Sequence, residues 1–125
     1  GESQRAAAPQ GPIEVSYYFS NVCPFCKKFE PELRLAMERF SSSEVKLTCV
    51  DTSPKEQKRE NIEGIVDCDW RALLPGELEA FGVRSTPTLL ISTDPTKPLV
   101  KREGVLAATE LEMLLKNLAK SRSKS

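Results

Sequence analysis

Residues 13–20, "IEVSYYFS", carry β-branched and aromatic side chains and run into a turn-like Ser20-Asn21, a pattern that predicts a buried strand. The period then changes. Over residues 24–40 the apolar positions Phe29, Leu33, Ala36, Met37 and Phe40 recur at helical spacing, predicting an amphipathic helix with Pro31 as a kink inside it. "SSS" at 41–43 breaks that pattern, and "EVKLTCV" (44–50) predicts a second strand with Val45, Leu47 and Cys49 on one face. Residues 53–73 are mixed: "SPKEQKRENIEG" predicts a charged, exposed helix and "IVDCDWRALL" a compact connection. A short helix is expected through "GELEAFGV". "PTLLIST" (87–93) and "KPLVKREG" (97–104) predict strands three and four, with "DPTKP" as the hairpin turn between them. "TELEMLLKNLAK" predicts a closing helix with Thr109 as N-cap and Leu111, Leu114, Leu115 and Leu118 as its apolar stripe. The order β-α-β-α-β-β-α, parallel early and a hairpin late, predicts an α/β fold. Its core is a central mixed four-stranded sheet flanked by helices, with an insertion between the second strand and the second core helix.

Composition narrows what such a domain does. The 125 residues suffice for one core: a flexible polar leader over 1–12, a domain over 13–120 and a basic tail over 121–125. Eighteen basic and eighteen acidic side chains cancel, which argues against a nucleic-acid partner or an anionic membrane surface. No apolar run approaches the roughly 18 residues that a membrane span needs. Histidine is absent, so His-based triads and His metal ligands are excluded.

The chemistry concentrates in "SNVCPFCKKFEP", where Cys23 and Cys26 fall at a predicted strand-to-helix junction. A thiolate there meets unpaired backbone N–H groups and the positive end of the helix dipole, both of which lower its pKa. Pro24 suits the first helical position, where its missing N–H costs nothing. Cys23 is therefore the expected nucleophile, and Cys26, one turn on, the thiol that resolves a mixed disulfide at Cys23. Phe25 brings no charge to the thiolate, while Lys27 and Lys28 place positive charge nearby. Two other readings stand beside this one. A zinc site would need Cys49 and Cys68 as its remaining ligands, although they do not form a second close pair. The Cys23–Cys26 pair could also be an inert staple. The redox reading is favoured, with no metal and no organic cofactor beyond the dithiol itself.

More than the CxxC resembles a known family. Pro31, eight residues after Cys23, stands where the thioredoxin superfamily kinks its first helix, and "FGVRSTPTLLIS" (81–92) is similar to its approach to the third strand. Gly104 and "VLAATELEMLLKNL" resemble its last strand and closing helix, so the match spans residues 13–118. The resemblance implies a thioredoxin fold and a cis bond at Thr86-Pro87. The Thr86 backbone would then be presented to an extended substrate, with Pro24 and Phe25 beside it. The Pro-Phe dipeptide and Thr86 are similar to bacterial periplasmic thiol–disulfide interchange proteins of the disulfide isomerase type. One departure is clear: Tyr17, six residues before Cys23, stands where thioredoxins carry a buried carboxylate that handles the resolving thiol's proton. The resemblance thus implies a monomeric thiol–disulfide oxidoreductase, of isomerase or reductase type, acting on protein substrates in the periplasm or another extracytoplasmic space. A dedicated reductase kept reduced by a membrane partner and a low-turnover binding or assembly module are the alternatives.

Cys49 and Cys68 admit two readings: a disulfide pinning the insertion to the second strand, or two buried free thiols. Asp67 and Asp69 flank Cys68 and should make it a poor nucleophile, which favours a structural use. Trp70 is read as packing.

Overall fold

The structure is a computed structural model, described here for residues 11–58 and 66–123. In chain order the elements are β1 (Ile13–Phe19), α1 (Pro24–Met37), β2 (Val45–Asp51), a 3-10 turn (Lys55–Gln57), β3 (Asp69–Arg71), α2 (Glu77–Ala80), β4 (Thr88–Ser92), β5 (Val100–Glu103) and α3 (Ala108–Ser123). The strands form one sheet in the order β3-β2-β1-β4-β5. β1 pairs parallel with β2 and antiparallel with β4; β3 joins β2 in parallel and β5 joins β4 antiparallel.

Alternation along β1 and β2 explains the two layers. Ile13, Val15, Tyr17 and Phe19 share one face with Val45, Leu47 and Cys49, and that face packs on Phe29, Leu33 and Ala36 of α1 and on Leu111 and Leu115 of α3. Tyr18 and Val50 point the other way, to a smaller cluster with Val83 and Leu90 that Leu78 of α2 helps to cover. Burying a ring such as Phe29, 1% exposed, contributes about 2–3 kcal/mol. β1 lies at the centre of the sheet, so its C-terminal end, where α1 begins, is held from both sides.

Four expectations need correction. The sheet has a fifth strand, β3, inside the segment read as a compact connection; three residues are too few to show periodicity, and the ladder from Thr48–Val50 creates the strand. Within the expected charged helix over 53–64, the described part contains only the 3-10 turn Lys55–Gln57; residues 59–64 lie outside the described residues. α1 ends at Met37, because Arg39 and Phe40 donate to the carbonyls of Ala36 and Met37 in tight i to i−3 bonds; Phe40 still packs on the core. Thr109 is inside α3 and does not cap it. The Glu32 carboxylate of α1 accepts from the Ala108 N–H at 2.8 Å and Glu110 reaches back to the Ala107 N–H at 3.1 Å, so carboxylates satisfy this helix end without a hydroxyl.

Candidate active site

The loop leaving β1 is tied down before the first helical residue. The Cys23 N–H donates to the Ser20 carbonyl at 3.2 Å, and the Asn21 N–H donates to the Ser53 hydroxyl at 2.7 Å. Asp51, buried at the end of β2, accepts from the Ser53 N–H at 2.8 Å and from the Asn21 side chain at 3.3 Å. This network joins the ends of β1 and β2 and fixes where α1 starts. Cys23 is the N-cap, in an extended conformation, with Pro24 at the first helical position. Its sulfur accepts from the Cys26 N–H at 3.3 Å, which occupies one of the orphan donors of the helix end.

The two thiols differ in their surroundings. Cys23 is 7% exposed and Cys26 is 0% exposed, so only Cys23 has a path to a partner. Burial alone would push the Cys23 thiol up. Hydrogen bonding with the Cys26 thiol and the Thr86 side chain, together with the N–H groups of Cys26 and Phe25, outweighs burial and leaves its pKa below the ordinary thiol value. Burial, reinforced by Cys23, pushes Cys26 up to about 11. Lys28 stands over the Phe25 ring at 5.7 Å.

The Thr86–Pro87 peptide bond is cis, and the Cys23 thiol donates to the Thr86 carbonyl at 3.2 Å. The segment is held by the Gly104 N–H on the Pro87 carbonyl at 2.9 Å and the Thr88 hydroxyl on the Ser85 carbonyl at 2.7 Å. Thr86, with Pro87 next to it, thus stands against Cys23; Pro24 and Phe25 follow Cys23 in α1, and Phe25 and Val22 are exposed by 58% and 60% as an apolar rim.

Cys49 and Cys68 are joined as a disulfide, their Cα atoms 6.0 Å apart. Bonded to each other, they are not available to complete a zinc site with Cys23 and Cys26, both of which are free. Among the described residues no group of three or more His, Cys, Asp or Glu is placed to hold a metal ion. Trp70 packs edge-on against Phe19 at 5.9 Å, on the flank of the sheet.

No family model matches the sequence, and no curated protein is similar to it. Solved structures do match. A thiol–disulfide isomerase from Corynebacterium glutamicum superposes with a TM-score of 0.73 at 15% identity, over 95% of this chain and 86% of that one. The thioredoxin-related protein of Neisseria meningitidis serogroup B gives 0.70 at 14% identity, over 88% and 86%. The exposed lipoprotein thioredoxin of Streptococcus pneumoniae gives 0.65 at 19% identity, over 90% and 89%. The chain has the thioredoxin fold.

Within that fold Pro31 stays inside α1 without ending it. The sequence reading did not single out Glu30. The Tyr17 hydroxyl donates to the Glu30 carboxylate at 2.9 Å, which puts an acid beside the Tyr17 position where the sequence shows none. Its only sequence signal is its place one turn after Cys26 on the same helix. Nor did it pair Arg71 with Glu77, since the two meet only once β3 has formed.

Proposed function

We propose that this chain is a thiol–disulfide oxidoreductase that exchanges disulfides with protein substrates, of isomerase or reductase type. The observation that carries this is the inequality of the two thiols. Cys23 is the accessible one with a lowered pKa, and Cys26 is enclosed behind it with a raised one. Dithiol exchange needs this inequality. The Cys23 thiolate attacks a substrate disulfide, expels one substrate thiolate and forms a mixed disulfide; Cys26 then attacks the Cys23 sulfur and releases the second. The apolar rim of Val22 and Phe25 and the carbonyl of Thr86 suit an extended polypeptide lying across Cys23. Deprotonation of Cys23 frees that carbonyl from the thiol and leaves it able to accept a substrate N–H.

The site of action in this reading is an extracytoplasmic space, the periplasm among them. A second disulfide suits an oxidising compartment, and one of the similar structures is an exposed lipoprotein. The chain acts as a monomer on thiol- or disulfide-bearing proteins, with a membrane redox partner to recycle it.

Insulin reduction with glutathione as electron donor tests the activity. Wild type should turn over, Cys23→Ser should not, and equal rates in the two would sink the assignment of the nucleophile. The direction of flow follows from the glutathione equilibrium of the Cys23–Cys26 pair. A potential near about −120 to −180 mV marks an oxidase or isomerase, and one near about −270 mV marks a dedicated reductase. A slow wild type with a normal equilibrium would identify a binding or assembly module.

A further inference from the structure

In the first turn of a helix carboxylates stabilise and ammonium groups cost, because the backbone end is positive there. α2 and α3 follow this rule, with Glu77 and Glu79 in the first turn of one and Glu110 in that of the other. α1 breaks it. Its first turn holds no acid, and Lys27 and Lys28, both exposed, follow Cys26 directly. Side chains on a helix lean toward its N-terminus, and the Lys28 ammonium stands back over the Phe25 ring, 5.7 Å from its centroid, toward the Cys23 end. A third cation comes from another element. Arg84, exposed next to buried Val83, shortly precedes Thr86, whose carbonyl accepts from the Cys23 thiol at 3.2 Å.

These charges are not neutralised by the chain's own ion pairs. Among the described residues those pairs are made by Arg39 and Lys116 with Glu112, Lys46 with Asp69 and Arg71 with Glu77. The carboxylates nearest the site are turned to other partners. Glu30 accepts from the Tyr17 hydroxyl at 2.9 Å and Glu32 from the Ala108 N–H at 2.8 Å, while Glu103 meets the Ser85 hydroxyl at 3.5 Å.

We propose that Lys27, Lys28 and Arg84 select acidic polypeptide: extended segments whose reacting cysteine is flanked by aspartate or glutamate. This rests on the reading of Cys23 as the nucleophile of exchange with protein substrates. Such a segment, lying across Cys23, meets cations from α1 and from the loop before Thr86, while Val22 and Phe25 take its apolar side chains. A basic segment is repelled. Exposed charges of this kind act mainly on the rate of encounter and weaken with salt. The chemistry is unchanged: the Cys23 thiolate bonds to the substrate cysteine sulfur, the substrate disulfide breaks, and its other half leaves reduced, as a thiolate.

The test uses short peptides, each with a single cysteine activated as a pyridyl disulfide and flanked by aspartates, by lysines or by serines. Attack by Cys23 of the reduced protein releases pyridinethione, whose absorbance gives the rate. Each rate is divided by that of the same peptide with dithiothreitol, a neutral thiol, which removes the peptide's intrinsic reactivity. Comparing aspartate with lysine peptides on one protein also cancels any change in the thiolate content of Cys23. Wild type should favour the aspartate peptide about tenfold at low ionic strength, and the ratio should fall toward unity in molar salt. Lys27→Glu, Lys28→Glu and Arg84→Glu should each lower the ratio about threefold. Lys46→Glu makes the same change of charge at the start of β2, opposite Glu14 and away from the end of β1 that leads to Cys23, and should leave the ratio alone. A wild-type ratio near one overturns the preference. An equal fall in Lys46→Glu also overturns it, because the net charge of the domain would then be the cause. So does a ratio that survives molar salt, since contacts other than charge would then choose the peptide. If wild type attacks none of the peptides, the serine one included, the exchange reading itself falls; equal attack on all of them leaves that reading standing and removes the preference alone.

Discussion

At the scale of single residues, the site depends on placing two identical side chains three positions apart in unequal surroundings. Thr86 is the residue that bears on both. Its side chain favours the thiolate at Cys23 and at Cys26, while its carbonyl accepts from the Cys23 thiol. Thr86→Val keeps the shape and removes the hydroxyl. The Cys23 pKa should rise, measured as the pH dependence of thiolate absorbance or of alkylation rate, while Phe25→Ala, which removes no donor, should leave it in place. An unmoved pKa in Thr86→Val would assign the lowering to the Cys26 thiol and the helix N–H groups. How much of this was legible divides along physical lines. Cys23 and Pro24 could be read because N-cap chemistry is local: an extended residue followed by proline at the first helical position needs no tertiary knowledge. Glu30 could not, because its meaning comes from a strand residue thirteen positions earlier that only docking of α1 on β1 brings to it. Lys28 shows the same dependence on docking and direction. Sequence proximity suggested charge on the thiolate, but side-chain direction on the helix sends Lys28 over the Phe25 ring.

At the scale of elements, the weakly patterned stretch after β2 is organised by one buried carboxylate. Glu77, at the start of α2 and 5% exposed, takes two hydrogen bonds from Arg71 on β3, at 2.9 and 2.5 Å, one from the Leu74 N–H at 2.9 Å and one from the Tyr18 hydroxyl on β1. Three elements thus converge on one group. Pairing with Arg71 first, against an opposing cost of burial, holds the Glu77 carboxyl at about 2, below its ordinary 4.5. The folded state therefore binds fewer protons here than the unfolded state. The stabilisation is complete above the unfolded value and disappears as pH falls through about 2. Glu77→Gln should cost about 3 kcal/mol near neutral pH, at the lower end for a broken buried pair because Arg71 remains partly solvated. Urea midpoints measured at decreasing pH should converge for wild type and variant as the carboxyl protonates. Parallel midpoints down to acid would mean that Glu77 acts through packing and not through charge. The sequence shows Arg71 and Glu77 only as two of many charges, since nothing periodic announces a three-residue strand.

At the scale of the whole molecule, the alternation of strands and helices made the mixed sheet with its flanking helices readable, because the longer core elements show their period. What remained open was the edge, and there a covalent bond takes over from pattern. Cys49 sits in the core beneath Tyr17, fully enclosed, while Cys68 immediately precedes β3. Their bond closes a loop with a sequence separation of 19 and fastens the edge strand β3 to its neighbour β2. A loop of this length restricts the unfolded chain by about 3 kcal/mol in the entropy model. To isolate that contribution, the free pair is removed as Cys23→Ser/Cys26→Ser, and urea unfolding is compared with and without reductant. Reductant should lower stability by about 3 kcal/mol in this background, and by nothing measurable once Cys49→Ala/Cys68→Ala is added. Equal stability with and without reductant, when mass and alkylation show both thiols reduced, would mean that β3 is held by its ladder to β2 and by Arg71–Glu77 alone. The bond would then serve some purpose other than support. If reduction does loosen the edge, stability of the whole domain depends on an oxidising environment while its reactive pair does not. Such a domain keeps its edge fastened wherever the Cys49–Cys68 bond stays oxidised, whatever the redox state of Cys23 and Cys26.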